Sequence, residues 1–138
     1  MDAETSRAKM LAQVDQVRLS ALAKVFAWTL EVDGLTVYVG VRPRRLPDRL
    51  YMLRASFDDF PEQAPSYSFV DRMSRQPAES AWPPSVMHSD NGICTPGTRE
   101  FHERLHKNDR QYPWDHEKYT FLSTLTEIHR LMERGIGG

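Results

Sequence analysis

Of three short segments between positions 28 and 57, the first and third alternate apolar with polar side chains, the second is rich in β-branched residues, and an Asp33-Gly34 pair separates the first two. This pattern constrains the fold most, because a period of two puts every apolar residue on one face of a sheet. Trp28, Leu30 and Val32 alternate with Thr29 and Glu31; residues 35–41 are rich in β-branched side chains; residues 50–57 alternate again. Gly34 can adopt the positive φ that a tight hairpin needs. The spacing therefore predicts an antiparallel meander. A short fourth strand over 66–70 follows residues 58–65, where Pro61 and Pro65 each remove an amide donor and push the preceding residue toward extended geometry.

The two ends read as helices. Met10, Leu11, Val14, Val17 and Leu22 recur at helical spacing within residues 6–22, with polar side chains between them. Tyr119, Phe121, Leu122, Leu125, Ile128, Leu131 and Met132 share one broad face of a closing helix, which Gly135 is placed to stop. With 138 residues, 40% of them apolar, the chain can close one core of ordinary size, so residues 1–138 are expected to form a single α+β domain.

Residues 71–114 carry no long periodic segment and are interrupted by Pro77, Pro83, Pro84, Pro96 and Pro113. A loop of that length in a small domain is usually functional or disordered. Trp82, Met87, Ile93, Phe101, Tyr112 and Trp114 give it apolar anchors, so an ordered loop is expected, with Trp82, Tyr112 and Trp114 pinning it to the sheet.

Eighteen basic and nineteen acidic side chains leave a formal charge of −1, which provides no long-range field to gather nucleic acid or an anionic membrane. Arg42, Arg44, Arg45 and Arg49 form only a local basic patch. One cysteine cannot make an internal disulfide, the N-terminus is polar and mixed in charge, and no apolar run is long enough to span a bilayer. A cytoplasmic protein is expected, with neither nucleic acid nor membrane as a partner.

Cys94 lies within His88-Ser-Asp-Asn-Gly-Ile-Cys-Thr-Pro-Gly-Thr-Arg-Glu-Phe-His102. Taken alone, it fits three roles: a small buried hydrophobe, a metal ligand or a nucleophile. Cys94, His102 and His106 are spaced Cys-x7-His-x3-His with His88 and His116 flanking, which makes a zinc site arithmetically possible although the spacing is that of no standard finger. The closing Gly135-Ile136-Gly137-Gly138 ends as a processed ubiquitin-like protein does, but the rest of the chain lacks the short β-grasp pattern, so a helix stop and a short flexible end are expected.

The order of helix, meander, proline-rich crossing, cysteine-bearing loop and closing helix resembles the ubiquitin-conjugating enzyme fold. Phe60-Pro61-Glu62-Gln63-Ala64-Pro65-Ser66-Tyr67-Ser68-Phe69 is similar to the family's Tyr-Pro-x-x-Pro-Pro-x-x-x-Phe entry to its fourth strand. His88, then Gly92-Ile93-Cys94, resembles its His-Pro-Asn and Gly-x-Ile-Cys elements, and Trp114 matches a tryptophan after the cysteine. Ser89 and Asp90 stand where the family has Pro and Asn. With the long stretch between Cys94 and Trp114, the chain looks most like divergent bacterial relatives, found beside activating enzymes and ubiquitin-like proteins and linked to antiviral defence.

The resemblance implies an enzyme that accepts a ubiquitin-like modifier from an activating enzyme as a thioester on Cys94 and passes it to an amine of a protein substrate. It implies no metal and no organic cofactor. The alternative is a non-catalytic module of the same fold that binds an activating enzyme or modifier. For the enzyme, His88, Asp90, Arg99 and His102 are close enough in sequence to act on the thiol, since a nearby cation favours the thiolate. Asn91 and the amides of the Thr95-Pro96-Gly97-Thr98 turn are candidates for stabilising an oxyanion. Asp90 or Glu100 is a candidate to orient or deprotonate the attacking amine.

Overall fold

A computed structural model describes residues 2–83, 92–105 and 111–134. The fold is α+β: an N-terminal helical segment, a four-stranded antiparallel sheet and a C-terminal helix. The strands are β1 (Thr29–Asp33), β2 (Thr36–Val41), β3 (Tyr51–Ser56) and β4 (Ser66–Val70), in the spatial order β1-β2-β3-β4. The meander expected from alternation is therefore present. Gly34 takes φ +62° at the first hairpin, where Asp33 pairs with Thr36.

Register places one face of the sheet in the core. Val37 lies opposite Ala55, Val39 opposite Leu53 and Val41 opposite Tyr51, while Leu53 and Ala55 face Phe69 and Tyr67 on β4. All of these are buried. Two long helices cover them: α1 (Ala3–Arg18), through the stripe Ser6, Met10, Val14 and Val17, and the C-terminal helix, through Leu125, Ile128 and Met132.

The opening helix differs from the single span expected over 6–22. It stops at Arg18, and a second helix, α2 (Ala21–Val25), starts behind Ser20. Ser20 Oγ donates to the Val17 carbonyl (2.6 Å) and accepts from the Ala23 amide (3.2 Å), so one hydroxyl closes the first helix and caps the second. Leu22 thus belongs to α2. At the other end, α3 (Phe121–Arg134) begins two residues after Tyr119, and the Gln13 side chain on α1 accepts from the Phe121 amide at 2.9 Å. Gln13 satisfies one of the donors that a helix start leaves open.

The long loop is ordered where it is described. Trp82 packs edge-on against Phe69 with ring centroids 5.2 Å apart, and Ile93 and Phe101 are buried. Residues 79–81 form a 3-10 turn and residues 101–105 a π-helical turn. Tyr112, by contrast, is exposed.

A polar chain running from the core to the surface links the N-terminal part of the sheet to α3. Trp28 Nε1 donates to His129 Nδ1 (3.1 Å), His129 Nε2 lies 3.2 Å from Glu133 Oε1, and Glu133 Oε1 accepts from the Arg44 amide (2.6 Å). An indole nitrogen only donates, so His129 is neutral and carries its proton on Nε2. Phe26 stacks on the imidazole at 4.1 Å, and the Arg44 guanidinium lies 5.2 Å from the Phe26 centroid. This stack anchors the basic loop to α3.

Candidate functional site

Cys94 is exposed, while Ile93 before it and Thr95 after it are buried. Cys94 is the outward residue of a tight three-residue turn, closed by the Thr95 amide on the Ile93 carbonyl (3.0 Å). Ile93 is part of the main core, so the backbone that carries Cys94 is fixed to the protein interior.

The turn after Cys94 is closed by short-range bonds. The Thr98 hydroxyl lies within donating distance of the Ile93 carbonyl (2.9 Å) and the Thr95 carbonyl (3.1 Å), and accepts from the Phe101 amide (3.1 Å). Thr98 is fully buried and caps the turn that follows it. Gly97 has φ +104°, and a Cβ there would collide with the Thr124 hydroxyl on α3. Only glycine lets the turn lie this close to the helix.

Turn amides considered for an oxyanion are already committed. Thr95 N–H donates to the Ile93 carbonyl (3.0 Å), Gly97 N–H to His102 Nε2 (3.0 Å) and Thr98 N–H to the Thr95 carbonyl (3.3 Å), while Pro96 has no N–H. These groups hold the turn rather than await a ligand. Of the other candidates, His88, Asp90 and Asn91 lie outside the described residues.

Three charged or titratable side chains near Cys94 in sequence serve as struts. Arg99 Nε donates to the Ala64 carbonyl (2.9 Å), its guanidinium also bonds the Asp58 carbonyl, and its amide donates to the Pro65 carbonyl (2.8 Å). Arg99 therefore clamps the loop onto the proline crossing. Glu100 accepts from the Ser66 hydroxyl (2.7 Å) and the Tyr67 amide (2.8 Å), which occupies both carboxylate oxygens on the edge of β4. His102 uses both ring nitrogens: Nε2 accepts from Gly97, and Nδ1, 2.9 Å from the Tyr112 carbonyl, must carry the proton. Burial pushes the His102 pKa below its ordinary value, outweighing its bond to Tyr112 and the charge of Glu103. Sequence proximity singled these residues out; apart from Gly97, their partners lie on other segments.

Trp114 pins the far end of the loop. Its Nε1 donates to the Pro61 carbonyl at 2.9 Å, and its ring meets His102 edge-on (5.6 Å) and stacks with Tyr119 (6.5 Å). The Phe60-Pro61 bond is cis. The proline crossing, the cysteine loop and Trp114 thus converge, although they are far apart in sequence.

Burial raises the Cys94 pKa above that of an ordinary cysteine. Arg99 and His102, the cations considered for a thiolate, are bonded to backbone groups: Arg99 to the Ala64 and Asp58 carbonyls, His102 to Gly97 and Tyr112. Beside it opens a groove of about 600 Å³, lined by Thr95 and Pro96 from the turn, Tyr119, Thr120, Leu122 and Thr126 around α3, and Leu22 from α2. Lys118, Glu127 and Arg130 stand at its polar margin. Leu22 and Thr126 gave no functional signal in the sequence, since apolar periodicity does not separate a groove wall from a core residue.

Among the described residues no three His, Cys, Asp or Glu side chains come together as a metal site. His106 and the Gly137-Gly138 end lie outside them. No helix among the described residues is long and apolar enough to cross a membrane. Comparison with protein-family models and with curated proteins finds no match for the chain.

Proposed function

We propose that the chain is a ubiquitin-conjugating-like enzyme, of the divergent bacterial kind, that carries a ubiquitin-like modifier as a thioester on Cys94. The observation that supports this most is the seat of the cysteine: an exposed thiol on a rigid, core-anchored turn, beside an open groove that can hold an extended peptide tail. Trp114 bonded to Pro61 supports it further, because it joins two of the sequence elements that carry the family resemblance.

In the first half-reaction the Cys94 sulfur attacks the carbonyl of a thioester presented by the activating enzyme. A new C–S bond forms, the bond to the activating enzyme's sulfur breaks, and the proton lost by Cys94 goes to the departing thiolate. In the second, an amine of the protein substrate attacks the same carbonyl, the amide forms, and Cys94 leaves and takes up the surplus proton. The raised thiol pKa favours carrying over reacting, because a more basic thiolate is a poorer leaving group and its thioester is less labile. Asn91 is the side chain proposed to stabilise the oxyanion, with His88 and Asp90 as its companions. The chemistry needs no metal or organic cofactor, and the lone thiol suits a reducing cytoplasm.

The test is to mix the protein with ATP, an activating enzyme and a ubiquitin-like protein of the kind found beside its bacterial look-alikes. A non-reducing gel is then expected to show an adduct that thiol reductant removes and that Cys94→Ala abolishes. An adduct that survives reductant or persists in Cys94→Ala contradicts the proposal, as does none with a verified active partner set.

A further inference from the structure

We propose that His102 is the positioning residue of the Cys94 turn: a neutral imidazole that latches the turn through Gly97 and releases it when Nε2 takes a proton. The geometry of this latch is independent of what Cys94 does; its purpose rests on reading Cys94 as the carrier.

The ring bridges two segments. Nε2 accepts from the Gly97 amide three residues after the cysteine, and Nδ1–H donates to the Tyr112 carbonyl on the segment leading to Trp114 and α3. Gly97 is trapped between the imidazole and Thr124, so its position depends on both contacts. Thr98 bonds back to Ile93 and Thr95, which transmits the position of the turn to both neighbours of the cysteine.

Neutrality is essential because Nε2 must offer a lone pair. A proton there sets one N–H against another, and the bond to Gly97 cannot exist. Phe101 (5.0 Å), Trp114 (5.6 Å) and Tyr119 (5.4 Å) pack around the ring and half-bury it, which makes a charge there harder to solvate. Glu103 on the same turn favours the proton, while Lys118, whose ammonium lies 5.3 Å from the Tyr119 centroid, is the cation on the opposing segment. Burial outweighs Glu103, so release is expected on acidification below the ordinary histidine value of 6.5. The consequence is a carrier whose nucleophile loses its fixed seat as the surroundings acidify.

Glutamine is the discriminating replacement, because its side-chain oxygen can accept from Gly97 and its amide can donate to Tyr112 without titrating. Nitrogen-15 spectra of the whole protein, taken from about pH 7.5 to about pH 5, are expected to show His102 Nε2 unprotonated at the start. The Gly97 and Cys94 amide signals should then move with the same midpoint as the His102 ring, and stay still in His102→Gln. The proposal is overturned if Nε2 carries the proton at neutral pH, or if His102 titrates while those amides do not move. Should the variant not fold, the wild-type titration decides alone. The titration requires no modifier, so a failed thioester assay sinks the carrier reading and leaves the latch standing.

Discussion

Gly97→Ala attacks the contact that fixes the cysteine turn to α3, and its cost can be worked from two separable effects. Backbone at φ +104° is strained for any residue with a Cβ, at about 1–3 kcal/mol. The new methyl also collides with the Thr124 hydroxyl and sits against its Cβ and Cγ2 at 3.2 and 3.3 Å, and overpacking of this kind costs about 1–3 kcal/mol. Together they predict a loss of about 2–6 kcal/mol, a large part of a domain's stability. Gly34→Ala supplies the control, since Gly34 also has positive φ but nothing lies within 4 Å of its Cβ position. Thr124→Ala in the Gly97→Ala background removes the hydroxyl and Cγ2, so it should recover about 1–2 kcal/mol relative to the sum of the single changes. Urea unfolding of the four variants measures all of this. If Gly97→Ala costs no more than Gly34→Ala, or if the two positions are additive, the close approach of the turn to α3 is wrong.

Cys94 should be slow to react at neutral pH, with an alkylation midpoint above that of a free cysteine in the urea-unfolded protein, because burial raises its pKa; a midpoint below that reference would show a cation at the sulfur. Stability should decline as pH falls below 6.5, since burial depresses the His129 pKa in the folded state and the unfolded chain then binds the extra proton. His129→Asn, whose side-chain oxygen can still accept from Trp28, should lessen the fall of the urea midpoint between about pH 7.5 and pH 5.5, leaving the share that His102 adds through its own lowered pKa, and an unchanged slope would refute the neutral assignment. Glu100→Gln should cost about 1–3 kcal/mol in the same unfolding assay, because one of its two bonds loses a charged acceptor and the other faces a donor; no loss would remove Glu100 from the edge of β4.

The sheet was largely legible because its signals are local. Alternation marked β1 and β3, β-branched residues marked β2, Gly34 marked the hairpin, and Pro65 marked the start of β4 at Ser66. The break between α1 and α2 was hidden: Ser20 carries no glycine or proline signal, and its capping bonds show only once the chain has turned. At the site, the sequence left the exposure of Cys94 open, because a turn residue and a small buried hydrophobe both fit; the structure places it at the surface. The duties of Arg99, Glu100 and His102 were not legible, because their partners are Asp58, Ala64, Ser66, Tyr67, Gly97 and Tyr112, most of them on distant segments. Charged residues near a cysteine in sequence look catalytic until the backbone groups they hold are known.

The central claim is that Cys94 carries a protein through a thioester, and intact mass of the tagged protein tests it most directly. The protein is recovered from its own cells after quenching in acid without thiol. A species heavier by a small protein less one water is predicted, removable by reductant and missing from Cys94→Ala. The same mass gain in Cys94→Ala, or one that reductant leaves in place, would contradict it.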